Sequence, residues 1–208
     1  MRILALRHGD QLGHHRFRFR ARGQLLCGPA ADDGRPIAER RHQLLRGFLF
    51  AVRVESPGRD GVRATLEEMR NLVRGYKKDL KIRETAGSMV SELQQKNFLG
   101  EVKILHRFVR DNIRYLRDIH GIETLQSPVK TLEYGYGDCD DKSTLLASLL
   151  ESTGHPSRFV AVGKAPGKFN HVYVETLVGR KWFPLETTEP VPAGWAPPGM
   201  RSRMIVHN

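Results

Sequence analysis

Two cysteines occur in 208 residues, Cys27 and Cys139, and the second stands in a setting suited to chemistry. The stretch "YGYGDCDDKSTLLASLL", Tyr134 to Leu150, opens on glycines and continues as a helical pattern. Leu145, Leu146, Leu149 and Leu150 make its apolar face. Asp138 suits the N-cap, and Asp141, three residues on, suits the reciprocal acid of a capping box. Gly154 and Pro156 end the helix. Cys139 therefore falls in the first turn. There unpaired N–H groups and the helix dipole favour a thiolate, and the same amides can hold an oxyanion. Asp138, Asp140 and Asp141 oppose a thiolate, so a nucleophile here needs a cationic imidazole beside it. The competing reading is a small buried cysteine, the commoner use of a lone thiol.

Downstream residues offer the missing groups. "SRFVAVG" reads as a strand, and "FNHVYVETLVGRKWFPLETT" alternates as a β-hairpin turning at Gly179-Arg180. Val172 and Val174 fall on one side of the first strand, and His171, Tyr173 and Glu175 on the other. Trp182, Pro184 and Glu186 share a parity on the return strand. Pairing across residues 178–180 sets residues whose numbers sum to about 358 opposite each other. Glu186 then lies within one residue of facing His171. A carboxylate there fixes the imidazole tautomer and stabilises its cation. These are the parts of a Cys–His–acid triad: thiolate nucleophile, acid/base imidazole and orienting carboxylate.

Taken together, "TLEYGYGDCDDKSTLLASLLESTGHPSRFVAVG", "FNHVYVE" and "KWFPLETT" resemble the core of the transglutaminase-like superfamily. The resemblance covers about residues 100–190 and is nearest to the short bacterial and phage-associated cysteine proteases of that group. It implies a papain-like α+β fold, with a Cys-bearing helix packed on an antiparallel sheet and N-terminal helices ahead of it. It also implies Cys139 as nucleophile, His171 as general base and Glu186 as third member. The family's acid is usually Asp, so Glu186 is a departure, with Glu189 and Glu175 as weaker substitutes. The implied activity is hydrolysis of amide or peptide bonds through an acyl-enzyme. An amine acceptor would make the protein an acyl transferase of the protein-glutamine type, and loss of catalysis would leave a binding module. A phage or prophage role is a further implication. Gln126, in "TLQSP", offers an amide to complement the Cys139 N–H, or else bonds backbone as a loop amide. Trp182 is expected to shield the ion pair.

The remaining elements must position these groups. "ATLEEMRNLVRGYKKDL" places Leu66, Met69, Leu72, Val73 and Tyr76 on one helical face. "ETAGSMVSELQQ" predicts a second short helix. "GEVKILHRFVRDNIRYLRD" carries Val102, Leu105, Val109, Ile113 and Leu116 in one stripe. His106 and His120 have no ligand partners at useful spacing and are read as surface or interface histidines. "GIETLQSPVKTLEYGYG" reads as extended or loop, because Pro128 disfavours helix before it. The proline-rich "EPVPAGWAPPGM" is expected to wrap the domain, anchored by Trp195.

Net charge is +11, but it is uneven. Residues 1–63 hold 13 Arg, no Lys and 6 acidic residues, whereas Lys appears ten times from Lys77 onward. This Arg-rich segment is expected to be a basic arm, a poorly patterned subdomain or translation upstream of the true start. As a real arm it would bind nucleic acid or an anionic surface. Residues 64–208 are expected to form the transglutaminase-like domain. Two cysteines cannot build a disulfide framework or a cysteine-rich zinc site, so the expected compartment is cytoplasmic. No apolar run reaches a membrane span. "GKAPGK" at 163–168 lacks the length and the Ser or Thr of a P-loop and reads as a loop beside the site. "DCDDK" lacks calcium-loop spacing. No metal or cofactor is expected; the expected partner is a protein or peptide substrate.

Overall fold

A computed structural model describes residues 58–117 and 124–208. The Arg-rich segment to residue 57, with Cys27 and the pair His14-His15, and also His120, lie outside the described residues. The first helix, α1 (Arg59–Tyr76), starts behind Gly58 and runs through residues 59–63, across the 63/64 boundary read from composition. It buries Leu66, Met69, Leu72 and Val73 as its spacing predicts. Helix α2 (Leu80–Val90) is capped by Asp79, whose carboxylate accepts from Lys81 N at 2.9 Å. Helix α3 (Phe98–Asn112) is capped by Asn97 and buries Val102, Leu105, His106 and Val109. The stripe read as far as Leu116 ends earlier: Ile113 is extended and buried, and Leu116 is 47% exposed.

Two-residue strands β1 (Arg114–Tyr115) and β2 (Tyr136–Gly137) pair in parallel and bring the end of α3 beside the turn before Cys139. Between them lies α4 (Pro128–Tyr134), where the sequence predicts extended chain or loop. Ser127 caps it and Pro128 occupies its first turn. A proline there loses no helical hydrogen bond and arrives with φ already helical, so the residue taken as a breaker is a starter.

Helix α5 (Cys139–Ser152) is the centre of the molecule, enclosed by the other helices and the sheet. Every residue from Asp141 to Leu150 is buried, so the leucine face is only part of its contact surface. The polar residues in that run are satisfied locally. Thr144 Oγ1 donates to Asp140 O at 2.7 Å, Ser148 Oγ to Thr144 O at 2.8 Å, and Ser143 Oγ to Val172 O at 3.3 Å.

Strands β3 (Ser157–Gly163), β4 (His171–Val178), β5 (Lys181–Leu185) and β6 (Ser202–His207) form an antiparallel sheet in the order β5-β4-β3-β6. Phe159, Ala161, Val172, Val174, Leu185, Met204 and Val206 face the helices, and Val160, Val162 and Tyr173 make a small outer cluster. The fold is α+β, with the Cys-bearing helix packed on an antiparallel sheet. The hairpin pairs Val178 with Lys181 and Val174 with Leu185, one residue off the register read from sequence. The proline-rich segment ends in β6, an edge strand on β3 that sequence reading did not foresee. Trp195 is partly buried, and its main-chain N–H donates to Pro192 O at 3.2 Å. Among the described residues no helix is long and apolar enough to cross a membrane.

The turn leading into β4 is tight. A Cβ on Gly163 would stand 1.9 Å from the main-chain oxygen of Lys168. Gly163→Ala is therefore expected to cost about 3 kcal/mol, because the obstacle is backbone rather than a rotatable side chain. Chemical denaturation checks it; an unchanged midpoint would mean that the turn moves aside freely.

Candidate active site

The first turn of α5 is built as a reciprocal cap. Asp138 Oδ1 accepts from Asp140 N at 2.9 Å and Asp141 N at 3.1 Å, while Asp141 Oδ2 accepts from Asp138 N at 3.3 Å. Gly137 is needed for this closure, since a Cβ there would meet the Asp141 Cβ at 2.6 Å. Asp141 is buried and its other oxygen accepts from Gln126 N at 2.7 Å. One carboxylate thus closes the cap and fixes the segment before α4 to the turn that bears Cys139.

Cys139 is partly exposed and lies against β4. Burial pushes its thiol well above the ordinary range. The negative charges of Asp140 and Asp138 push the same way, and only the Val172 N–H, which donates to the sulfur, pulls it down. The thiol also donates to Asp140 Oδ1 at 3.5 Å. Asp138, Cys139 and Asp140 place one potential ligand atom each within 4.8 Å of one another. By themselves these surroundings favour the thiol over the thiolate.

The contact with Val172 places the sulfur beside the residue that follows His171. His171 opens β4, and its Nε2 lies 2.6 Å from Glu186 Oε2. Glu186 is the first residue past β5 and is fully buried. Its Oε1 accepts from the amide and the hydroxyl of Thr188, each at 2.7 Å. Burial raises the Glu186 carboxyl, but His171 and Thr188 outweigh it and hold the group below the ordinary carboxylate range. Nε2 is taken by the acid, and Nδ1 is the other nitrogen of the ring.

The other candidates divide. Gln126 is buried beside the Cys139 turn, and its Oε1 has no hydrogen-bond partner among the described residues. Trp182 does not shield the pair, which corrects the sequence expectation. It pairs with Leu177 near the hairpin turn, and its ring lies 4.1 Å from the Arg158 guanidinium. It lies on the outer face at the hairpin end of the sheet, six positions along β4 from His171. Glu175 is committed on that face to Arg158 at 2.5 Å and Arg203 at 2.7 Å, which removes it as a substitute acid. Glu189 lines a cleft of about 320 Å³ together with Ile113, Tyr115, Lys142, Thr187 and Thr188.

Two residues that sequence reading passed over adjoin the site. His106, expected at the surface or an interface, is 1% exposed, and its Nε2 lies 2.5 Å from Glu186 O. Burial lowers its pKa, so the ring is neutral and its Nε2–H donates to that carbonyl. The signal was present: His106 follows Val102 by four residues and precedes Val109 by three, which is core spacing. Lys142, also buried, donates from Nζ to Ile113 O and to Arg110 O, capping the end of α3. Burial lowers Lys142 to about 8, against the pull of Glu186 and Asp111. A lysine depressed in the folded state carries a penalty below pH 8 that is relieved as pH rises toward its ordinary value. Relative to Lys142→Met, the wild-type protein should gain up to about 3 kcal/mol in stability between about pH 8 and pH 10.5. Denaturation of both proteins across that range checks the gain; parallel curves would refute it.

Comparison with known proteins bears on the whole arrangement. The family described as the transglutaminase-like superfamily matches residues 83–187, a span that contains Cys139, His171 and Glu186. Dynein regulatory complex subunit 7 of Chlamydomonas reinhardtii is 44% identical over 64 residues, 29% of this chain and 5% of that protein. The chain thus spans a small fraction of the curated relative that it matches. Among solved structures, a candidate protease from Parabacteroides distasonis superposes with a TM-score of 0.52 at 18% identity, covering 66% of this chain and 27% of that one. LapG of Legionella pneumophila gives a TM-score of 0.45 at 20% identity, covering 65% and 80%. The likeness to the first is one of fold.

Proposed function

The chain belongs to the transglutaminase-like superfamily, and from that premise we propose that it is a thiol-dependent hydrolase of amide or peptide bonds. Cys139, His171 and Glu186 are its catalytic residues. The observation that carries this reading is the 2.6 Å His171–Glu186 contact beside a thiol at the start of a buried helix.

The thiol proton passes to His171 Nδ1, and Glu186 stabilises the resulting imidazolium through Nε2. The thiolate attacks the carbonyl carbon. The oxyanion is met by the Cys139 N–H, which the Asp138 side chain leaves free of the cap, and by the side-chain amide of Gln126. The tetrahedral species collapses, the C–N bond breaks, and Nδ1 returns its proton to the departing amine. Water then attacks the thioester, giving a proton to Nδ1. The C–S bond breaks, a carboxylate leaves, and the thiol is restored.

Incubation with peptide substrates, with and without a primary amine, tests the reading. The expected result is amine release in water alone, absent in Cys139→Ser, with a trapped thioester on Cys139 by mass spectrometry. Products carrying the added amine in place of hydrolysis would make the protein a transferase. No turnover by a folded protein on either substrate set would make it a binding module.

A further inference from the structure

Glu186 lies one residue beyond the last ladder pair of the hairpin, Val174 with Leu185. The register brings it near His171, but no ladder pair holds Glu186 itself. Its main-chain oxygen is held instead by His106, from the middle of α3 and 80 residues earlier in the chain. The same helix holds the chain farther on, where Arg110 Nη1 donates to Val191 O at 2.8 Å. It is tied to the nucleophile helix through Lys142, which donates to its terminal carbonyls. Helix α3 thus grips the acid-bearing segment at two points and the Cys-bearing helix at a third.

We propose that His106 is a positioning residue, which pins the main chain of Glu186 so that a glutamate side chain, and no shorter one, reaches His171. The inference rests on the reading of Cys139, His171 and Glu186 as catalytic. A bond of 2.5 Å from a buried neutral donor leaves the Glu186 carbonyl little freedom. With the main chain pinned, removal of one methylene withdraws the carboxylate by about 1.5 Å. The 2.6 Å contact would then open to about 4 Å, beyond hydrogen-bond reach.

The test is iodoacetamide alkylation of Cys139 across pH, with thermal unfolding measured on each variant. Gln can place an amide N–H near the position of Nε2, whereas Asn places it nearer Nδ1. His106→Gln should retain most of the wild-type reactivity at neutral pH. His106→Asn should lose on the order of tenfold at similar stability, because the acid is no longer aimed. Glu186→Asp in the wild-type background should lose as much, and it serves alone if His106→Asn does not fold. Wild-type profiles for His106→Asn or Glu186→Asp would overturn the proposal. So would equal losses in His106→Gln and His106→Asn that track their stability, the mark of a histidine that only fills the core. His171→Ala in the same series separates the two levels. If reactivity depends on His171 but not on His106 or Glu186 length, this proposal alone fails. If it is indifferent to His171, the catalytic reading fails and this proposal with it.

Discussion

His171→Ala is expected to cut the alkylation rate of Cys139 at pH 7 by about a hundredfold or more. The physical argument lies in the surroundings of the thiol. Burial and the charges of Asp140 and Asp138 push it well above the ordinary thiol range, and one donated N–H from Val172 does not reverse that. Even an ordinary thiol, with a pKa near 8.5, is ionised to only about 3% at pH 7, and one pushed above that range is ionised less. Only proton transfer to a neighbouring imidazole, charge-balanced by a carboxylate, yields a large thiolate fraction there. The wild-type rate should therefore stay high well below pH 8, where an unassisted thiol is mostly protonated. The variant should show a simple rise at alkaline pH. Hydrolysis should fall further, by about a thousandfold or more, since the same ring also protonates the leaving amine. Rates for the variant that match wild type at pH 7 would reduce Cys139 to a structural cysteine.

The second large effect is expected for Asp141→Ala. Its buried carboxylate accepts from Asp138 N at 3.3 Å and from Gln126 N at 2.7 Å. Alanine leaves the Gln126 N–H buried without its acceptor and removes half of the reciprocal cap. Hydrogen bonds to a charged acceptor contribute about 1.5–3 kcal/mol, and a cap about 1 kcal/mol, so a loss of about 3 kcal/mol is expected. Asp141→Asn keeps an acceptor oxygen for Gln126 and should recover a large part of it. Chemical denaturation of both variants decides the matter. A loss under about 1 kcal/mol in Asp141→Ala would show that the cap and the Gln126 segment hold without it. A second consequence is separable. The Gln126 segment should loosen, so Asp141→Ala should lower turnover even at temperatures where it stays folded.

Much of this site is written in local sequence. The Asp138 and Asp141 cap, the leucines of α5, the turn at Gly179-Arg180 and the alternation through His171 each depend on residues a few positions apart. Their order along the chain suffices to suggest the parts of a Cys–His–acid triad. The failures have a common origin. Pro128 was read by what it forbids upstream, and not by the helix that it starts. His106 has no ligand partner at useful spacing, which suggests a surface or interface histidine and leaves its core spacing unweighed.

Helix α5 and the hairpin are thus determined by the sequence itself, since caps, turns and periodicity are short-range properties of the chain. The tertiary structure alone decides how they meet. A hairpin shifted by one residue sends Trp182 to the outer face, beside Arg158, while Glu186 escapes the ladder and turns to His171. The bond from His106 to Glu186 spans 80 residues and exists only once α3 has packed against the segment that follows β5. Register and packing are collective results of burying the whole core, and no window of neighbouring residues contains them.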